Sequence, residues 1–381
     1  MPKKSRPHTG SKGFYPRKRA AKETPSFGSF PQIKSDAVKP LNFFGYKAGM
    51  LHVMGKDSYN KSPSYGQEIV VPCTVVECPP VKVFAVRAYG NSPFGKKTLI
   101  EVSVEKPEKH LLRKIVSFKQ KKSKKKKEAK QHKVFADLEK LKDKIVEVRL
   151  LVHTQPYLLG FGKKKPEIAE VALSGTVEKQ LAFARDKLGK DLHLQDVFAE
   201  KQFIDVKAVT RGRGMEGVIQ RHNVKKQRRK AKTERVVGSI GPWHPPTVMW
   251  TVARPGQFGY QTRTEYSKRI LMIGNKDLNP KAGFSNFGLV KNDAVVLAGS
   301  VPGVSKRCIA LRTATRPMPE HRVDLAEISF VSTHEEAGKA EEDDAFKAQK
   351  VKAEKEVKQE KKSVADEIAE AAKATAAKAE A

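Results

Sequence analysis

From Leu41 the apolar positions fall into short runs rich in valine, isoleucine, leucine and aromatic residues, broken by clusters of glycine, proline, asparagine and serine. "GYKAGMLHVM", "EIVVPCTVVEC" and "VKVFAVRAY" are the first three, followed by "TLIEVSV" (98–104), "KIVEVRLLVHT" (144–154), "EIAEVALS" (167–174) and "FIDVKAVT" (203–210). Far downstream "DAVVLAGSV" (293–301) and "RCIALR" (307–312) have the same texture. Runs of this length and composition, with turn formers between them, predict strands. Their presence at both ends of the core predicts a β-barrel that the chain leaves and re-enters. One amphipathic helix is predicted at 177–188, where Val177, Leu181, Ala184 and Leu188 share a face that packs on the core. Another helical stretch is expected around "FADLEKLKDKI".

Polar and charged segments divide these runs. Residues 1–40 form a basic arm rich in Pro, Ser and Gly, with "PRKRAAK" (16–22) as its centre. The arm either orders against a partner or stays a solubilising tail. Residues 41–104 are the first part of the barrel, and 105–190 a charged, partly helical insertion with strands, whose extreme is "KQKKSKKKKEAKQHK" (119–133). Barrel strands and a glycine turn occupy 191–220, a basic extension 221–275 and the barrel return 276–334. The Ala/Lys/Glu tail, 335–381, has helix propensity without an apolar stripe and is expected to be disordered or a solvated helix.

Charge narrows the partner. The 381 residues hold 75 Lys and Arg against 42 Asp and Glu, a formal net charge of +33. From Glu335 onward there are 13 acidic and 10 basic residues, a net of 10 − 13 = −3, so the remainder carries 33 + 3 = +36. Such a body repels itself unless a polyanion supplies counter-charge. No apolar run reaches the ~18 residues of a membrane span and the basic N-terminus lacks a signal peptide's apolar stretch, so the expected polyanion is nucleic acid and no membrane partner is expected. Cys73, Cys78 and Cys308 form no C-x-x-C pair, and the 10 histidines show no metal-ligand spacing. A disulfide framework and a metal site are therefore not expected, and a reducing compartment fits.

"TRGRGMEGV" contains Gly212, Gly214 and Gly217 in a literal G-x-G-x-x-G after a strand. A dinucleotide site needs a packed amphipathic helix next and an acid about 20 residues on. Here residues 221–232 hold seven Lys or Arg, no acid and one large aliphatic, Val224, while Glu234 is only a loose match to the ribose acid. No cofactor and no small-molecule substrate are expected. The glycines read instead as a turn, either nothing more or one whose backbone, flanked by Arg211 and Arg213, comes close to phosphate. Within the run, Lys225, Lys226, Arg228, Arg229 and Lys230 are the main candidate phosphate contacts, since each cation that meets a phosphate releases condensed counterions. The alternative is a solvated charged face, which ordinarily mixes signs.

"GSIGPWHPPTVMW" (238–250) follows, with both tryptophans of the chain. Pro242, Pro245 and Pro246 exclude helix and central strand, so the segment is predicted to be a stiff loop. Trp243 there either stacks on a nucleobase or plugs a small core under its own loop. His244 has no Ser, Cys or acid beside it for a catalytic dyad and is read as a hydrogen-bonding group of the loop.

The order of these pieces resembles the universal large-subunit ribosomal protein three family in its archaeal and eukaryotic form. The matching segments are "GFYPRKRA" (13–20), "GYKAGM" (45–50), "VVECPPVKVFAVRAY" (75–89), "RLLVHTQP" (149–156), "AVTRGRGMEGV" (208–218), "GPWHPP" (241–246), "GQFGYQTRTEYSKRI" (256–270) and "GSVPGVSKR" (299–307). They are collinear over most of residues 1–334, and "RVDLAEISFVS" looks more archaeal than eukaryotic. The resemblance implies a mainly β fold with α insertions: a closed, Greek-key-like β-barrel core with long basic extensions that penetrate RNA. It implies a non-enzymatic, cytoplasmic constituent of the large ribosomal subunit that binds its 23S-type rRNA, touches neighbouring large-subunit proteins and acts in early assembly. Trp243 matches the family's finger, which approaches the peptidyl-transferase region and influences how aminoacyl-tRNA enters. By position in the matched segments and beside them, Arg17, Lys18, Arg19, Lys47, Arg221, Arg254, Tyr260, Arg263, Lys268, Arg269, Lys306 and Arg307 join the expected RNA contacts. Two departures stand out. Arg221, His222 and Asn223 replace the family's frequent Arg-Trp-Gly, and no histidine lies between His222 and His244 to take the modification some eukaryotic members carry.

Overall fold

The short apolar runs become strands. The computed structural model describes residues 12–33, 37–115, 135–228, 230, 237–274, 278–280, 282–316 and 325–332. Its strands are β1 (Asn42–Asp57), β2 (Glu68–Glu77), β3 (Val81–Ser92), β4 (Gly95–Ser103), β5 (Glu147–His153), β6 (Ile168–Ala172), β7 (Asp191–Leu192), β8 (Phe203–Val209), β9 (Gly214–Glu216), β10 (Gly256–Phe258), β11 (Thr262–Gly274), β12 (Ala294–Ala298), β13 (Cys308–Thr313) and β14 (Leu325–Ser332). The helices are α1 (Phe135–Glu139), α2 (Val177–Lys187) and α3 (Val218–His222). The molecule is mainly β.

Six strands close into a ring in the order β1, β13, β8, β11, β12, β2 and back to β1, every pairing antiparallel. The length of β1 makes closure possible: Asn42–Tyr46 pair with β13, while the stretch from Tyr46 to Lys56 pairs with β2. Register shifts between Lys47 and Gly49 and between Glu265 and Lys268 mark bulges, which bend and twist a strand as a closed sheet requires. A second sheet runs β4, β3, β5, β6, with β7 added beside β3. Thus β3 and β4, contiguous in sequence with the ring strands of 41–104, lie outside the ring. Pro79 and Pro80, which cannot donate ladder hydrogen bonds, separate β2 from β3.

One core serves both sheets. Phe43, Tyr46, Val75, Val296 and Leu311 from the ring join Val83, Val86, Leu150, Val152 and Val171 from the second sheet. The other face of the second sheet buries Phe84, Ala85, Leu111 and Leu151. Along α2, Leu181 and Ala184 are buried, with Val177 and Leu188 packed at the edge of the core as the stripe predicts. Gln180 fastens the helix: its Oε1 accepts from Val148 N–H at 3.1 Å and its Nε2 donates to the carbonyls of Leu173 and Gly175. The expected helix around 134–145 is shorter than its pattern, α1 passing into a 3-10 turn at Lys142–Lys144.

A buried ion pair ties the ring together. Arg312 Nη2 donates to Asp205 Oδ2 at 2.5 Å, and that oxygen also accepts from Thr315 N–H and Oγ1, while Oδ1 accepts from Ser267 N–H. Arg312 Nη1 reaches the Ser29 carbonyl at 2.6 Å, and its guanidinium lies over Phe27 at 4.5 Å. Residues 27–30 of the arm are thus held by the protein itself, through two phenylalanines packed at the core, rather than by a partner alone. Tail residues 335–381 and the lysine run 119–133 lie outside the described residues.

Candidate nucleic-acid interface

Residues after β8 leave the ring through Thr210–Arg213 and enter a two-stranded ribbon, in which Gly214 pairs with Phe258 and Glu216 with Gly256. The ribbon brings both ends of residues 217–255 to one place. At its turn Gly259 has φ +72°, and a Cβ there would stand 2.0 Å from the Arg211 carbonyl oxygen, so only glycine fits. The glycine motif behaves as a backbone turn: its third glycine precedes only the five residues of α3, which Asn223 ends in the left-handed region at φ 55°. Among the described residues no helix of a dinucleotide fold follows it.

Arg221 closes the base. Its Nε donates to the Gln257 carbonyl (3.0 Å), Nη1 to Arg254 (2.8 Å) and Nη2 to Arg17 (3.2 Å), while Arg17 Nη1 donates back to the Arg221 carbonyl (2.6 Å). One guanidinium therefore joins the arm, α3 and the returning chain. Desolvation and the neighbouring Arg17 push its pKa down.

Beyond this lock the chain turns to solvent. Lys225, Lys226, Arg228 and Lys230 are exposed, and among the described residues none of them has an ion-pair partner; Arg229 lies outside the described residues. Every residue from Val237 to Trp250 is exposed, without helix or strand, and Trp243 is 87% exposed. Trp243 therefore plugs no core among the described residues. His244, beside it, is exposed too.

The remaining predicted contacts divide by their own engagements. Lys18, Arg19, Arg211, Arg213, Arg254 and Lys306 are exposed. Arg263 lies over Phe14 at 4.5 Å, and Arg307 lies over Tyr260 at 5.0 Å while donating to the carbonyls of Val209 and Thr210. Lys47 donates to the Val301 carbonyl at 2.7 Å, and burial lowers its pKa. Lys268 pairs with Glu265 at 2.9 Å, and Arg269 is buried over Phe203. Lys268 and Arg269 belong to β11, a ring strand that the charge of 221–275 hides in the sequence.

Sequence reasoning misses one constellation. Tyr15, His222 and Trp250 come together from three separate segments: Tyr15 meets Trp250 edge-on at 5.2 Å and stacks near His222 at 6.3 Å. Sequence spacing carries no signal for such a meeting. Elsewhere, all three cysteines are buried and free, and burial pushes Cys73 up to about 12, so these thiols stay protonated. Among the described residues no group of His, Cys, Asp or Glu is arranged to hold a metal, and no helix is long and apolar enough to cross a membrane.

Comparison with known proteins decides the family. The family model for ribosomal protein L3 matches residues 1–338. The chain belongs to the ribosomal protein L3 family. Its relatives include the large ribosomal subunit protein uL3 of Methanocaldococcus jannaschii, 46% identical over 342 residues that cover 88% of this chain and 98% of that protein. Those of Methanococcus vannielii (42% over 342 residues; 88% and 99% covered) and Methanobrevibacter smithii (41% over 346; 89% and 100%) are similar. As a ribosomal protein L3 it is a structural constituent of the large subunit and not an enzyme. The archaeal character of "RVDLAEISFVS" agrees with these methanogen relatives.

Proposed function

We propose that the chain binds large-subunit rRNA through three surfaces: the arm with Arg17, Lys18 and Arg19, the basic run from Lys225 to Lys230, and the Trp243 loop. On this reading the closed ring is the Greek-key-like barrel of the family, residues 221–261 are the extension that enters RNA, and β11 returns the chain to the ring. Exposed cations meet phosphates and release counterions. Trp243, braced by three prolines, meets a base or sugar with little conformational entropy left to lose.

The observation that carries this reading is the exposure of the whole segment from Val237 to Trp250. Two tryptophans left in water beside unpaired cations form an amphipathic surface that an aromatic, polyanionic partner matches. In early assembly such segments would bind as the RNA folds, and the loop at the finger position would influence how aminoacyl-tRNA enters. The test is reconstitution of large subunits with wild-type protein and with Trp243→Ala. The variant is expected to be incorporated normally and to slow aminoacyl-tRNA accommodation. Unchanged accommodation would overturn the finger role, and release of the wild-type protein from the subunit by a high-salt wash would overturn stable rRNA binding.

A further inference from the structure

The root of the extension contains a cleft of about 570 Å³ lined by Tyr15, Arg17, Arg221, His222, Trp250 and Arg254, with Pro16 and Val252 at its sides. Its volume is that of a small-ligand site. Its lining combines aromatic rings with guanidinium groups, the chemistry that grips a flat heteroaromatic ring. Trp250 is 62% exposed although Tyr15 braces it edge-on, so an indole surface is held in place and left uncovered.

Two polar atoms in this lining lack partners. His222 is 8% exposed and its Nε2 has no hydrogen bond, and the same holds for Nε of Arg17. Burial, then Arg17 and Arg221, hold His222 below the usual histidine range, so the ring is neutral near pH 7. Two buried polar atoms without partners are costly in a folded protein unless something meets them.

We propose that this cleft receives one unpaired nucleobase of the RNA, stacked on Trp250, with its edge hydrogen-bonded to His222 Nε2 and an acceptor facing Arg17 Nε–H. The inference rests on the RNA-binding reading above and adds a base-specific seat distinct from the Trp243 loop. The base docks where arm and extension are joined, so its binding also reports that the two are assembled.

The experiment uses the full-length protein and large-subunit rRNA. Wild type, Trp250→Ala, Trp250→Phe and His222→Phe are compared by filter binding across a salt series and by chemical probing of base edges in the complex. For Trp250→Ala, affinity should fall about tenfold, the loss of one stacked base. The slope of log affinity against log salt should stay unchanged, because no phosphate contact is lost. One nucleotide protected by wild type should become reactive; Trp250→Phe should restore its protection, while His222→Phe should keep the stack and expose the base edge. A probing pattern identical between wild type and Trp250→Ala, with binding intact, overturns the pocket and leaves RNA binding standing. Failure of the wild-type protein to bind rRNA in preference to random RNA overturns both.

Discussion

Replacing Asp205 by alanine removes the acceptor at the centre of the ring's polar network. Asp205 is fully buried, Arg312 has 4% of its side chain exposed, and the carboxylate accepts from Arg312, Thr315 and Ser267. Asp205 lies on β8, Arg312 on β13, Thr315 just beyond it and Ser267 at the bulge of β11, so one side chain joins three adjacent ring strands. Its loss strands the Arg312 cation in the core, a change that costs about 3–5 kcal/mol when one member of a buried pair is deleted. At roughly 2–3 °C per kcal/mol for a domain of this size, the melting temperature should fall by about 6–15 °C. Thermal melting followed by circular dichroism, with urea unfolding for the free energy, measures both. Arg312→Met in the Asp205→Ala background should recover part of the loss, because it withdraws the unpaired charge. A single variant within about 1 kcal/mol of wild type, or a double variant no better than the single, would refute the account of the network.

Trp243→Ala should leave the unfolding free energy from urea titration within about 0.5 kcal/mol of wild type, because an indole this exposed holds nothing in the protein together; a larger loss would mean that the loop packs on its own chain. Lys225→Ala with Lys226→Ala should make the salt dependence of RNA binding shallower by about 1.4–1.8 in log–log slope, read by filter binding, and an unchanged slope would remove both from the phosphate contacts. Burial holds His153 below its ordinary value despite Glu108 nearby, so below pH ~6.5 the unfolded chain takes up a proton that the folded one refuses. Stability should therefore fall as pH drops from about 7.5 to 5.5. His153→Gln should flatten that dependence in urea titrations, and an equal slope in both proteins would place the effect elsewhere.

Much of the β content was legible because short runs of β-branched and aromatic residues between turn formers leave a direct mark: nine predicted runs coincide with strands from β1 to β13. That the Trp243 segment forms neither helix nor strand was legible for a different reason, since proline acts locally, whereas the exposure of Trp243 was left open between a stacking group and a plug. β11 was hidden, because Arg263, Lys268 and Arg269 disguise a strand whose cations lie over aromatic rings or beside Glu265. The division into ring and second sheet was also hidden, since pairing of β3 with β5 rather than with β2 is a choice between distant partners. Arg221 is the sharpest case. Its position reads as an RNA contact, yet its three donations to carbonyls depend on where residues 17, 254 and 257 come to rest. No window of sequence holds that information.

The pairing of Asn42 with Arg312 has a consequence during synthesis. The first ring strand leaves the translating ribosome long before the strand that closes on it exists, so every shorter nascent chain carries an open edge on β1. Such an edge invites a foreign strand. Closure therefore waits for β13, and a chain stopped before residue 308 should be recognisable to proteases and chaperones as unfinished, whatever the state of its second sheet.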